Sequence, residues 1–160
     1  MELIPYITIN RKRIEEKVDW DSFGYSKLWI VDLDAKRGKE MNFKVYNKLD
    51  YLDLILDISA NHLDDVFDAL TSGAIRVTVS GDIDNRKISS IIEATENAIF
   101  IVDSLEQYQR IRELGGSKFF SNNIFPPFYD EFYSENIQCD NCFKLVAIDD
   151  YNGRGNKETH

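Results

Sequence analysis

About seven short apolar, β-branched runs recur along the chain, each followed by an amphipathic or polar stretch. They cover residues 3–9, 28–33, 52–58, 76–80, 98–102, 118–121 and 143–148. Most are apolar at nearly every position rather than at alternate ones, the pattern of strands covered on both faces. Between them the spacing predicts helices over 43–49, 63–71, 85–95 and 105–114. The stretch 63–71 carries Leu63, Val66, Phe67 and Leu70 on one face and stops at Gly73, with Asn61 as its expected N-cap. The stretch 85–95 groups Ile88, Ile91 and Ile92. The stretch 105–114 follows Ser104, with Gln107 three residues on, and ends at Gly115-Gly116. Strands that alternate with helices at this spacing imply βαβ units and a parallel sheet.

A complete (β/α) barrel usually takes roughly 200–250 residues, and this chain has 160. The expectation is therefore a compact or incomplete (β/α) TIM-type barrel with a parallel sheet of about seven strands, with an open doubly wound sheet as the alternative. Residues 1–150 read as one barrel-like domain and 151–160 as a polar tail. The segment 122–140, rich in aromatic and acidic residues around Pro126-Pro127, reads as a loop with one helical turn near 129–133. An incomplete barrel leaves strand edges open, so a homodimer or a partner barrel is expected to cover them.

Charge narrows the partners. The net charge of −9 should repel a phosphate backbone, so nucleic acid is not an expected partner. A phosphorylated small molecule is compatible with it through the local patches Lys36, Arg37 and Lys39, or Arg154 and Lys157. No apolar run reaches the roughly 18–20 residues that cross a bilayer, and the start lacks the pattern of a secretory signal. A cytoplasmic protein without membrane contact is expected. The aromatic cluster Phe119, Phe120, Phe125, Phe128, Tyr129, Phe132 and Tyr133 reads as a plug or an interface rather than a base-stacking surface.

Cys139 and Cys142 form the chain's one Cys-x-x-Cys. They supply two of the four ligands that a structural zinc needs, and His62 and His160 have no ligand-type spacing, so no metal is expected. A thioredoxin-type pair opens a helix after a strand; this one follows a polar loop and precedes a strand. Ordinary reduced thiols are the favoured reading, ahead of a metal site shared across a dimer or redox chemistry.

The strand ends carry the candidate chemistry, because strand C-termini gather at the ligand face of parallel α/β folds. Asp32 and Asp34 end the second run and read as a ligand-orienting pair, against the blander alternative of capping the next turn. Ser80-Gly81 ends the fourth run and suits a backbone phosphate contact. Asp149 and Asp150 end the last.

Three segments bear a resemblance to a known family. Leu28-Trp29-Ile30-Val31-Asp32-Leu33-Asp34-Ala35-Lys36-Arg37-Gly38, followed by Asn42, is similar to a second strand and loop reading VDLDGA, a glycine and then an asparagine. Ala69 to Ser80 is similar to a third helix running into a fourth strand. Ile4-Pro5-Tyr6-Ile7-Thr8-Ile9 resembles the opening IPAIDL. Weaker echoes are the helix at 105–115 and Val146-Ala147-Ile148-Asp149, like a fifth strand. In this order the segments resemble the histidine-biosynthesis (β/α)-barrel family (the HisA/HisF group), closest to the phosphoribosylformimino-aminoimidazole carboxamide ribotide isomerase. The likeness covers about the first 80 residues well and the remainder loosely.

The resemblance implies isomerisation of a phosphoribosyl aminoimidazole carboxamide intermediate, without a cofactor, between two carboxylates. The position of the first is Thr8, whose hydroxyl cannot exchange protons near neutral pH as a carboxylate does. Asp149 would supply the second. The glycine-rich phosphate turn after the third strand is replaced by Asp57-Ile58-Ser59-Ala60-Asn61-His62, where Asp57 would repel phosphate, and Val102-Asp103-Ser104 stands in place of a later glycine pair. Substrate contacts are then expected at Asp32, Asp34, Ser80 and Gly81, with the activity weakened or lost. One alternative is a non-catalytic barrel that binds a phosphometabolite or a partner. Another is a Mg-dependent haloacid-dehalogenase-like phosphatase, because Val31-Asp32-Leu33-Asp34 resembles that nucleophile motif, with Ser80, Lys118 and Asp149-Asp150 in the order of the later motifs.

Overall fold

The computed structural model describes residues 1–127, 129–137 and 139–148. Eight parallel strands close into a barrel: β1 (Glu2–Asn10), β3 (Lys27–Asp32), β4 (Asp53–Ala60), β5 (Arg76–Ser80), β6 (Ala98–Ile101), β7 (Lys118–Phe120), β8 (Glu131–Ser134) and β9 (Cys142–Ala147). The short β2 (Arg13–Ile14) folds back antiparallel on β1. Closure comes from β1 pairing with β3 on one side and with β9 on the other, Ile4 opposite Leu145. The compact (β/α) TIM-type barrel with a parallel sheet is as expected, with eight strands where about seven were legible, and the open doubly wound alternative falls. The open edges that called for a second barrel do not exist.

The missing strand is β8. It occupies the place read as a helical turn near 129–133. Its four residues alternate, with Phe132 in the outer core and Tyr133 in the inner one. Four residues amid aromatic and acidic neighbours are too few to display a period.

Length is saved on helices. Helices α1 (Leu33–Lys36) and α2 (Phe43–Lys48) follow β3, and α3 (Leu63–Thr71), α4 (Asn85–Ala94) and α5 (Leu105–Glu113) follow β4, β5 and β6. The β1–β3 connection has the β2 hairpin and a 3-10 turn (Trp20–Ser22) instead. The expected helix boundaries hold within a residue. Ser104 caps α5, accepting from the Gln107 N–H at 3.1 Å, while the Gln107 side chain accepts from the Asp103 N–H at 2.7 Å. Asn61 is not the cap of α3; His62 holds that place without a side-chain cap bond. No helix among the described residues is long and apolar enough to cross a membrane.

Strand residues divide between two cores. Outward-facing Ile7, Leu28, Ile30, Leu56, Val77, Val79 and Phe100 pack against helix residues Val66, Ala69, Ile88, Ile91, Tyr108 and Ile111. Inward-facing Ile4, Trp29, Ile55, Ile99, Tyr133 and Leu145 fill the barrel. Trp29 spans it, with its ring 5.7 Å from Phe120 and 5.4 Å from Tyr133, and Tyr133 stacks on Phe143 at 4.7 Å. An eight-stranded barrel is just wide enough to be filled this way. Part of the aromatic cluster is thus a plug, as expected.

The N-terminal end of the barrel is closed by an inward ion pair. Arg76 donates to both oxygens of Glu131 at 3.1 and 2.8 Å, and the Tyr133 hydroxyl donates to Glu131 at 2.5 Å. Burial alone would raise the Glu131 carboxyl, but the bonds from Arg76 and Tyr133 outweigh it and hold the group below its usual range. A depressed carboxyl stabilises the fold at pH above its unfolded-state value and loses that contribution as pH falls through the folded value. Glu131→Gln should therefore cost roughly 2–4 kcal/mol at neutral pH, since it leaves Arg76 partly buried without a counter-charge. In urea titrations the gap between wild type and variant should shrink as pH drops below the ordinary glutamate range.

Candidate functional site at the C-terminal mouth

The C-terminal end of β4 departs from regular geometry. Its pairing with β5 shifts register between Leu56 and Ala60, and Ser59 adopts a left-handed φ of 49°. A non-glycine residue held there costs on the order of 1–3 kcal/mol unless its surroundings enforce it. Here the Ile58 and Ser59 N–H groups both donate to the Thr78 hydroxyl oxygen, at 3.1 and 2.9 Å. With its acceptor side occupied, that hydroxyl donates to Asp57 at 2.9 Å.

Asp57 faces into the barrel just below the rim and is buried. Besides Thr78 it accepts from the Trp29 indole N–H at 3.2 Å, and the Lys36 ammonium lies 2.9 Å from it. A buried carboxylate is tolerated only when paired and hydrogen-bonded, and all three partners are donors. Lys36 ends α1 and reaches over the rim, with its side chain 30% exposed. An ammonium has three donors; one contact to Asp57 leaves the others for a ligand. Beside it opens a crevice of about 680 Å³ whose lining includes Lys36, Lys39, Ser59, Asn61, His62 and Asp65. In sequence Asp57 reads as an obstacle to phosphate. In the fold its charge is matched by a cation from the preceding βα unit, a pairing that residue spacing does not reveal.

Thr8 continues the inward series Ile4, Tyr6 on β1, at the same mouth. Its N–H donates to the Glu16 carboxylate at 2.7 Å, and its carbonyl accepts from the Glu15 N–H at 2.9 Å. The loop after β2 thus brings a half-buried carboxylate to the strand end where the resemblance expects an aspartate. Sequence reasoning missed Glu16, because it lies eight residues on, in a polar run without a motif.

Asp32 and Asp34 are occupied otherwise. Asp32 points outward. It accepts from the Ala35 N–H, the Asn42 N–H and side-chain amide, and the Tyr46 hydroxyl, and so fastens α1 and α2 to β3. Asp34 accepts from the Arg11 and Lys12 N–H groups at 3.0 and 2.9 Å and from the Asn42 amide at 3.0 Å. Arg11 and Lys12 form the β1–β2 turn at φ of 52° and 67°, the conformation that a two-residue hairpin demands. Their N–H groups point at one carboxylate, which the Asn42 amide and then these N–H groups hold below its ordinary range. By these bonds Asp32 caps α1 and Asp34 ties down the β1–β2 turn.

Ser80 ends β5, and its hydroxyl oxygen accepts from the Asp82 N–H at 3.2 Å. Gly81 is set by close approach: a Cβ there would stand 2.2 Å from the Ile101 carbonyl oxygen and 2.9 Å from the Gln107 amide. Its own carbonyl accepts from Arg110 at 2.8 Å. Asp149 lies outside the described residues. The strand leading to it is the eighth of the barrel, not the fifth, because β8 precedes it; the fifth is β6, and it runs into Val102-Asp103. The phosphatase order does not converge either. Lys118 opens β7 at the N-terminal end of the barrel, whereas Asp32 and Ser80 close β3 and β5 at the other.

The Cys-x-x-Cys is not a pair of reduced thiols: Cys139 and Cys142 are joined as a disulfide, with their Cα atoms 5.3 Å apart. No group of three or more metal-ligating side chains occurs among the described residues. Compared with known proteins, the chain matches no family model and no curated protein significantly.

Because the atom nearest a Gly81 side chain would be backbone of the neighbouring strand, Gly81→Ala should destabilise the fold by roughly 1–3 kcal/mol. Chemical denaturation measures it; an unchanged midpoint would mean that the two strand ends can separate freely.

Proposed function

We propose that this chain is a divergent barrel of the histidine-biosynthesis type, cytoplasmic, that binds a phosphorylated small molecule at its C-terminal mouth through Lys36 and has weak or no isomerase turnover. The observation that carries the reading is the Lys36 ammonium, anchored on buried Asp57 and facing the crevice. An ammonium fixed by one carboxylate is oriented before the ligand arrives, so less side-chain entropy is lost on binding. Placement in the barrel supports the family likeness: the segments that carry it fall on the first strand, the second strand and the run into the fourth.

Chemistry favours binding over turnover. Asp57 is engaged by Trp29, Thr78 and Lys36, and Thr8 offers only a hydroxyl. Glu16 is the carboxylate nearest the inherited acid–base position, and any residual turnover would run through it.

Calorimetry with the bis-phosphorylated isomerase substrate, with turnover followed in the same sample, tests this. Binding with little turnover is expected. Lys36→Ala should weaken it by about tenfold or more, the worth of a charge-assisted bond. The double variant Lys36→Met/Asp57→Asn leaves no unpaired buried charge, so loss of binding there cannot be ascribed to unfolding. Absence of binding at millimolar ligand, or an unchanged affinity in both variants, would refute the proposal.

A further inference from the structure

The two cysteines sit on a side of the barrel wall where no helix occurs among the described residues of the β7–β8 and β8–β9 connections. Cys142 is the first residue of β9, and Cys139 lies in the connection that leads into it from β8. The Cys142 N–H donates to the Cys139 carbonyl at 3.2 Å, so the disulfide closes one tight turn. That turn lies at the seam: the Met1 ammonium donates to the Asp140 carbonyl at 2.7 Å, next to the β1–β9 pairing that closes the barrel. The two cysteines are unequally buried. Cys142 is buried at 2% exposure, whereas Cys139 is half-buried and packs at the edge of the outer core. The Tyr129 hydroxyl, from the neighbouring connection, lies 3.2 Å from the Cys139 sulfur and 3.4 Å from that of Cys142.

We propose that Cys139 and Cys142 are a reversible thiol–disulfide couple that exchanges with a dithiol reductant at Cys139 and, when oxidised, holds closed the turn that leads into β9 beside the barrel seam. One thiolate of the reductant attacks the sulfur of Cys139, the less buried of the two residues. The Cys139–Cys142 bond breaks, and Cys142 leaves as a thiolate beside the Tyr129 hydroxyl, which donates to it. The second thiol of the reductant then attacks its own sulfur in the mixed disulfide and frees Cys139. The protein gains two electrons and two protons, and the dithiol is oxidised to a disulfide. A hydroxyl donor shared by both sulfurs favours the thiolate in either direction. A half-buried cysteine paired with a buried one confines the mixed disulfide to one position.

The full chain serves for the test. Oxidised protein is exposed to millimolar dithiothreitol under native conditions, alkylated and weighed by intact mass. Both cysteines should become alkylated while circular dichroism stays native, and the melting temperature should fall by several degrees. Resistance to reduction until the protein unfolds would overturn the proposal in favour of a permanent staple. Stoichiometric zinc in the protein as isolated would overturn it as well. The single variants test the asymmetry: with an aromatic disulfide reagent, Cys142→Ser, which keeps Cys139, should react about tenfold or more faster than Cys139→Ser. Equal or reversed rates would refute attack at Cys139. In the Cys142→Ser background, Tyr129→Phe should move the pH profile of that reaction upward, and an unmoved profile would deny the tyrosine its positioning role.

Discussion

Closure of β1 onto β9 is the constraint from which the remaining features follow. A 160-residue chain that completes eight parallel strands has few residues left for the outer layer. It economises on the connections from β7 onward and on the one from β1 to β3. What covers the wall there is side chain rather than helix: Phe125, Tyr129, Ile137 and the cysteine pair pack against Phe119 and Phe132. A closed barrel has no free edge to protect, so the chain needs no second copy to satisfy its backbone.

The interior is organised in the same economical way. Trp29 joins the levels of the barrel, meeting aromatic rings on the opposite wall and bonding Asp57 at the C-terminal end. Below it the Arg76–Glu131–Tyr133 group caps the N-terminal end. Asp57 and the Arg76–Glu131 pair each combine an opposite charge with further hydrogen-bonding groups, as low-dielectric burial requires. At the C-terminal mouth the same requirement puts Lys36 over Asp57, so the group that neutralises the core is also the one that meets the crevice.

The long periodic elements were legible in the residues. Helices α3, α4 and α5 and strand β5 fall where the apolar spacing puts them. Strand β8 did not show itself, because alternation over Glu131–Ser134 is too brief to separate from its aromatic surroundings. The site was less legible than the fold. Asp32 and Asp34 resemble ligand groups in sequence, but their acceptors are taken by a hairpin turn and by helix starts. Asp57 reads in sequence as repelling phosphate, and its cation comes from another βα unit. Glu16 reaches Thr8 only through a reversal of the chain. Each case depends on a pairing between separate elements, which no local pattern encodes.

Amide hydrogen exchange across the seam tests closure most directly. If the barrel closes through β1 and β9, the amides of Ile4, Tyr133 and Leu145 should exchange as slowly as those of Ile55 in β4 and Val77 in β5, at the rate set by global unfolding. Rapid exchange in β8 and β9 beside slow exchange in β4 and β5 would show an open sheet and contradict the closed eight-stranded barrel.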